Sequence, residues 1–300
     1  MNPKTKGTAW ILNSAVFFAT YGVWSHLMGH DFGEFSQAWT RGLILLVFVV
    51  LVGKWKKLFK PMPKKDWPWF LVIASIGLNQ APYYYGFQHL GVGTATLLFY
   101  AALVIGGYLI GKLVFNETLT RTKLTSLVIG LAGLGVIYRL SLTPAQIWPA
   151  TLTIIAGLMG AISAVLPKKL SGQYHEFQIM AGYLTVMLVA NGLIAYLVKD
   201  SLPPISAHSA WLAAAAYAAA LLIANFSVIE GFKYLEASIG SLIGMAEIIF
   251  GILFGFLFFG EILSATTFLG GALIVLAAAL PNLKLPPSLW ESRGPKQNNK

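Results

Sequence analysis

The chain has 300 residues, of which 57% are hydrophobic and 11% are charged, with a mean hydropathy of +0.70 and no cysteine. Soluble domains are usually about a quarter charged, so this composition excludes an ordinary water-soluble surface and indicates a protein embedded in lipid. The lack of cysteine excludes disulfides, thiolate catalysis and cysteine-ligated metal sites.

Ten long apolar segments follow one another along the chain. A helix of roughly 20 apolar residues crosses the ~30 Å hydrocarbon core of a bilayer, and these runs are too long and continuous for barrel strands. We therefore predict an all-α integral membrane protein with ten transmembrane helices. Their predicted bounds are 7–28, 36–53, 67–87, 91–112, 121–138, 149–167, 176–198, 209–231, 236–259 and 264–281.

The basic residues lie on one side of this arrangement. If the N-terminus is cytoplasmic, 18 of the 21 Lys and Arg residues fall in cytoplasmic segments, two fall in outer loops, and Arg41 lies inside the second span. This positive-inside pattern predicts an inner-membrane protein with both termini in the cytoplasm. It also accounts for the net charge of +10 without a nucleic-acid partner.

The second half of the chain repeats the first. GFQHLGVGTATLL at 86–98 aligns with GFKYLEASIGSLI at 231–243. Three later residues align as well, namely Gly107, Gly111 and Glu117 with Gly251, Gly255 and Glu261, and we interpret the two glutamates as helix caps. Each half has five spans, so the second half enters the membrane inverted, which is typical of transporters with a site near the midplane. The predicted units are a five-helix repeat at 7–138, a second at 149–281, and a cytoplasmic tail at 282–300.

These features resemble the drug/metabolite transporter superfamily, in particular its ten-span EamA-type permeases. The resemblance rests on GTATLLFYAALVIGGYLIGKLVFNETLT at 93–120 and ASIGSLIGMAEIIFGILFGFLFFGEILS at 237–264, which both contain the family's Glu-x-Leu turn. It implies a central cavity among spans 1–4 and 6–9, peripheral spans 5 and 10, and alternating access. Val104 and Ile248 replace the prolines common in the family, so the sequence gives no signal for helix breaks there.

Glu247 is the one ionisable residue in the middle of the apolar run 241–261. It lies about ten residues into its span, or roughly 15 Å deep. A charge at that depth costs about 2.5–3.5 kcal/mol on insertion scales, so the side chain should face a cavity or a partner. Two interpretations follow: a carboxylate that couples protons or binds an amine, and a protonated carboxyl group bonded to a neighbouring helix.

Arg41 and three amides are the next candidates. Arg41 would bind a substrate carboxylate, pair with an acid, or extend to the headgroups. In GLNQAP at 77–82 the proline removes a backbone hydrogen bond, which Asn79 or Gln80 would replace unless they bind a ligand. Asn225 is the repeat mate of Gln80, and both either line the cavity or join helices.

Aromatic and small polar residues complete the candidate set. Tyr83, Tyr100 and Trp24 would stack on a planar or cationic substrate, or lie at the membrane interface. Ser163 is a small polar residue on the sixth span, where packing is the alternative role.

The function favoured by these patterns is secondary transport, with export of small organic metabolites such as amino acids. Export of organic cations, drugs or nucleobase-like compounds is the alternative, and a non-transporting membrane protein is the third hypothesis. The sequence has no nucleotide-binding loop and no cluster that a membrane enzyme would need, so we predict no catalytic residue, metal or cofactor. The expected partners are a small-molecule substrate, the bilayer and coupling protons, with the chain acting as a monomer or homodimer.

Overall fold

The structure, a computed structural model, is helical and describes residues 2–28, 31–138 and 140–282, within which there is no strand. Short 3₁₀ turns occupy 75–78, 144–146, 166–169 and 280–282. The helices in chain order are α1 (Pro3–Ala19), α2 (Tyr21–Met28), α3 (Glu34–Trp55), α4 (Trp67–Ala74), α5 (Gln80–His89), α6 (Val92–Phe115), α7 (Arg121–Ile137), α8 (Ile147–Val165), α9 (Glu176–Val198), α10 (His208–Tyr234), α11 (Ala237–Gly244), α12 (Ala246–Phe259) and α13 (Ala265–Ala279).

Six helical segments of the described chain are long and apolar enough to cross a membrane, and α13 is a shorter apolar helix. The six include α3, α6, α9 and α10, the α8 segment with its flanking turns, and α11 together with α12. Predicted spans 1 and 3 coincide with broken helices, and spans 5 and 10 with shorter ones. The all-helical membrane class is therefore confirmed, whereas helix length alone does not establish ten spans.

At the break between α4 and α5, a side chain from another helix donates a hydrogen bond to a backbone carbonyl. Pro82 has no N–H, and the preceding residues form a 3₁₀ turn that leaves backbone carbonyls without their usual donors. The Asn191 amide of α9 donates to the Gly77 carbonyl at 3.1 Å. The sequence predicted that Asn79 or Gln80 would compensate for the proline. The compensating amide instead comes from α9, because α9 packs directly against the turn.

A second break separates α11 from α12 without any proline. Met245 N–H donates to the Leu242 carbonyl at 3.1 Å, and Ile248 N–H donates to the Met245 carbonyl at 3.0 Å. Both bonds have three-residue spacing, which tightens the helix locally. The break places Glu247 in the first turn of α12, where the positive end of the helix dipole favours a carboxylate. The matching helix of the first repeat, α6, is continuous.

Helix contacts follow a two-fold pattern. Two major pairs, α3 with α9 and α7 with α13, join corresponding helices of the two halves. The contact of α1 with α10 is mirrored by α4 and α5 on α8, and the contact of α6 with α8 is mirrored by α11 and α12 on α1. Exchange of the halves maps each contact onto its mate, as an inverted repeat requires. The packing therefore supports the two-repeat architecture.

The bundle has two ends, which we name by their residues. The terminus face is the end at which α1 and α11 begin and α10 ends, and there Lys6 Nζ donates to Tyr234 Oη at 2.8 Å. The Glu34 face is the opposite end, where α3 and α6 begin. At that face Gly33 N–H donates to the Ser201 carbonyl at 3.0 Å.

We predict that Gly77→Ala destabilises the protein by about 1–3 kcal/mol, because a Cβ at this position would overpack a close contact between two segments. The added atom would lie 2.4 Å from Met187 N and 2.6 Å from the Tyr183 carbonyl oxygen, and backbone atoms cannot rotate away. Thermal unfolding in detergent measures the effect.

Gly135→Ala is the matched control, since a Cβ there meets nothing within 4 Å. Alanine is worth roughly 0.5–1 kcal/mol over glycine inside a helix, so this variant should match or exceed the unmodified protein. Equal melting temperatures for the two variants would contradict the close approach at Gly77.

Candidate functional site

A cavity of about 580 Å³ lies between the two halves of the bundle. Its walls come from α1–α3, the 75–78 turn with α5, α6, and α8–α12, and no described residue of α4, α7 or α13 lines it. The position of α7 and α13 agrees with the peripheral placement that the resemblance implied. The volume falls within the range of roughly 300–1,000 Å³ typical of small-molecule sites.

Eight of the nine candidate residues from the sequence line this cavity. They are Glu247, Arg41, Gln80, Asn79, Asn225, Tyr83, Tyr100 and Ser163. Trp24 is not in the lining; its indole N–H donates to Thr20 Oγ1 at 3.0 Å, and its ring packs against the buried cluster that contains Met28 and Phe32. The cavity thus collects polar residues from both repeats.

Glu247 is partly buried and reaches the cavity from the first turn of α12. The Tyr100 hydroxyl of α6 donates to Glu247 Oε1 at 2.8 Å. The carboxyl group therefore has both features that the two interpretations required: it faces the cavity, and it bonds to a neighbouring helix.

Arg41 lies in the same cavity, and its side chain is not at the lipid surface. The residue is 7% exposed, and its guanidinium carbon lies 3.9 Å from the centre of the Tyr217 ring. No ion pair to Arg41 occurs among the described residues, and its Nε has no hydrogen-bond partner there. Stacking on an aromatic face stabilises a guanidinium but leaves its N–H groups free for an acceptor.

Unsatisfied polar atoms concentrate at this cavity. In the part of the chain that the structure describes, six buried side-chain atoms lack a hydrogen-bond partner, and four of them belong to lining residues: Tyr21 Oη, Arg41 Nε, Asn79 Oδ1 and Tyr183 Oη. Buried polar groups in proteins are nearly always hydrogen-bonded, so such a cluster indicates a place for water or a polar ligand.

The wall near the Glu34 face is acidic. Glu34 lines the cavity two helical turns before Arg41 on α3. Asp200 caps this helix, since its Oδ2 accepts from Ser36 N–H at 2.8 Å. Gly33 makes the close approach possible, because a Cβ there would lie 1.8 Å from Asp200 Oδ1.

The terminus face is closed across the two repeats by Glu117. This carboxylate follows α6 and accepts from the backbone N–H of Ala237, from Ser238 N–H at 3.2 Å, and from Ser238 Oγ at 2.9 Å. It thereby caps the first turn of α11, where unpaired N–H groups and the helix dipole favour an anion. Glu117 was interpreted as a helix cap from the sequence, and the helix that it caps belongs to the other repeat.

Lysines reinforce this closure. Lys123 Nζ lies 2.7 Å from Glu236 Oε2, which precedes α11, and Lys168 Nζ donates to the Leu235 carbonyl at 2.7 Å. Lys233 pairs with Glu176 and with Glu230. The lining residues Gln88 and Val92 at the Glu34 face are exposed, whereas Phe232 and Gly240 toward the terminus face are buried, so the site opens toward the Glu34 face and is sealed at the other.

Sequence reasoning missed several polar lining residues, among them Tyr21, Glu34, Tyr183, Asn191 and Tyr217. Asn191 had a usable signal, since it is a lone amide inside an apolar span. The tyrosines had none, because the sequence alone does not distinguish a ring at a cavity from one packed between helices.

Comparison with known proteins agrees with this architecture. A family model described as the EamA-like transporter family matches residues 5–139 and 147–283, one match for each half. No curated protein matches the sequence. Among the solved structures that share this fold, a protein crystal structure has a TM-score of 0.78 at 18% identity over 92% of this chain and 96% of that chain. The chain therefore belongs to the EamA-like transporter family and is a multi-pass membrane transporter rather than an enzyme.

Proposed function

We propose that this protein is a secondary transporter that moves small organic metabolites such as amino acids by alternating access. The observation that carries the proposal is a cavity between the repeats that is lined by one base, Arg41, and by two acids, Glu247 and Glu34, and that opens toward one face only. In this proposal the ten predicted spans form two inverted repeats at 7–138 and 149–281, with the cavity as the substrate site.

The charges favour a substrate that carries both a carboxylate and an amine. The free N–H groups of Arg41 match the geometry of a carboxylate, and Glu247 offers an oxygen to an ammonium group. Both residues line the same cavity, together with the rings of Tyr21, Tyr83 and Tyr217, and this supports a substrate that reaches both charges. The aromatic walls would hold the apolar part of the substrate.

Glu247 would link transport to protons. A carboxyl group at this depth is costly to charge unless it has a cation, so it binds either a proton or the substrate's amine. The Tyr100 hydroxyl holds the carboxyl group in place through the bond to Oε1. Exchange of a proton for the substrate as the cavity changes face would then drive export.

The basic residues support a cytoplasmic terminus face in an inner membrane, so the substrate would leave through the Glu34 face. One chain forms the whole described cavity, so a single copy would suffice for transport.

Export of organic cations or planar drugs is the second candidate. It is supported by the aromatic wall near Glu247, where the Tyr83 and Phe87 rings stack at 4.4 Å and Phe99 packs edge-on to Tyr83 at 5.3 Å. Arg41 argues against it, because a buried cation repels a cationic substrate.

We predict that Glu247→Gln lowers solute counterflow in proteoliposomes by at least about tenfold, because a charged hydrogen bond worth roughly 1.5–3 kcal/mol is lost. The panel contains amino acids, nucleobases and quaternary amines. Glutamine keeps an oxygen for the Tyr100 hydroxyl, so the fold should be retained.

Asp31→Asn is the control, since it neutralises an exposed carboxylate outside the cavity and should exchange normally. Normal exchange by folded Glu247→Gln would show that the carboxyl group is structural. A panel in which no compound exchanges with the unmodified protein would contradict transport of these classes.

Arg41→Lys should separate the two substrate classes. Lysine keeps the charge but loses the planar fork that binds a carboxylate at two points, so the apparent affinity for amino acids should fall by roughly tenfold. Counterflow of a quaternary amine by the same variant should be unchanged if it occurs at all. An unchanged amino-acid affinity would remove Arg41 from the substrate site.

A further inference from the structure

The two repeats carry the same turn at equivalent positions. Glu117 N–H donates to the Gly111 carbonyl at 2.9 Å, and Glu261 N–H donates to the Gly255 carbonyl at 3.2 Å. The residue before each glutamate has a positive φ, 53° in the first repeat and 68° in the second. Each carboxylate folds back over its glycine, since an added Cβ would meet it at 2.8 Å or 2.4 Å. The two turns are therefore structural copies.

The copies differ in what they contact. Glu117 caps the first turn of α11, as described above. Glu261 has no hydrogen bond or ion pair to any other side chain or helix end within the described ranges. The sequence alignment pairs Ala237 and Ser238 of α11 with Val92 and Gly93 of α6, so the first turn of α6 is the matching partner for Glu261.

The helix surfaces beside these turns differ in the same way. A Cβ on Gly107 would lie 2.0 Å from Ser241 Oγ, so α6 and α11 are in tight contact near the terminus face. A Cβ on Gly251, the mate of Gly107, would meet nothing within 4 Å. Thr96, the mate of Ser241, lines a crevice of about 230 Å³ together with Gly251. We call each of these helix-docking surfaces a seat. The seat on α6 is occupied by α11, and the equivalent seat on α12 is open.

We propose that the open surface on α12, formed by Gly251, Gly255 and Glu261, is the seat for the first turns of α6 when the cavity faces the terminus face. In that state Glu261 accepts the N–H groups of Val92 and Gly93, and Thr96 packs against Gly251. Glu261 is then a positioning residue that closes the Glu34 face, as Glu117 closes the terminus face. This inference rests on alternating access in the proposed function.

Three further observations support the pairing. The N-cap of α6 is Gly91, which supplies no side-chain hydrogen bond, so the N–H groups of Val92 and Gly93 have no cap within the described ranges. Tyr138 lies within electrostatic range of Glu261, and a Cβ on Gly93 would be 3.7 Å from the same ring. Glu261 is therefore on the side of the bundle where α6 begins. The break at Met245 separates α11, which packs against α6, from α12, which contacts α6 at the Tyr100–Glu247 hydrogen bond, so it is the natural hinge.

The chain has no cysteine, so a single Gln88→Cys reports how open the cavity is at the Glu34 face. The measurement is the rate at which a membrane-impermeant maleimide labels this thiol in proteoliposomes, and it needs no substrate. Glu117→Gln weakens the occupied seat and should slow labelling severalfold. Gly107→Ala weakens the same seat sterically and serves if Glu117→Gln does not fold.

Adding Glu261→Gln or Gly251→Val to the slowed variant should return labelling toward the original rate, because each disables the second seat. Valine fits at Gly251 in the observed state, since nothing lies within 4 Å. Asp31→Asn and Gly271→Val are the matched controls, an exposed acid and an equally open glycine on peripheral α13, and neither should restore the rate.

Labelling that stays slow after Glu261→Gln and Gly251→Val would overturn the proposed seat, and so would an unchanged rate in both Glu117→Gln and Gly107→Ala. A failure of the proposed function appears elsewhere, as absent counterflow by the unmodified protein.

Discussion

A polar group at membrane depth has no water to bond, so it must find a partner in the protein or face a cavity, and this structure depends on that constraint. The partnered groups hold the bundle together. The Asn191 amide satisfies the broken third span, and Asn13 Nδ2 donates to Ser227 Oγ at 2.8 Å between α1 and α10. Most of the unpartnered buried atoms in the described chain, including Arg41 Nε and the Tyr183 hydroxyl, belong to residues that line the cavity. One rule therefore defines both the scaffold and the candidate site.

The membrane class, the duplicated halves and the main acid were predictable from sequence, for physical reasons. Long apolar runs have few alternatives to membrane helices, and a lone carboxylate inside such a run, Glu247, must have a cavity or a partner. The structure gives it both. Arg41 was found for the same reason, as the one base inside a span.

Other features were not predictable, because lipid is about as apolar as a protein interior. The sequence therefore carries little information on which side of a helix faces inward, and Tyr217 under Arg41 gave no signal. The break at Met245 also lacks the usual proline, since local tightening replaces it. Trp24 is the reverse case. It was named as a residue that would stack on a substrate or lie at the membrane interface, but its ring packs against other helices.

The two halves of the sequence align in several blocks, but the structure is not symmetric. Glu117 is engaged, while its copy Glu261 is not, and the cavity opens on the side of the unengaged copy. The alternating access proposed above requires a second state of the bundle. The difference between equivalent contacts indicates which surfaces would meet in that state.

The central claim is that the cavity between Arg41 and Glu247 binds the transported compound. The most direct test places the single thiol at Ser163→Cys in the cavity wall and measures its alkylation with and without a compound that exchanges in counterflow. The compound should slow alkylation at this position and leave the rate unchanged at Ser264→Cys, which is exposed outside the cavity. Equal rates at Ser163→Cys with and without a saturating, transported compound would contradict the account.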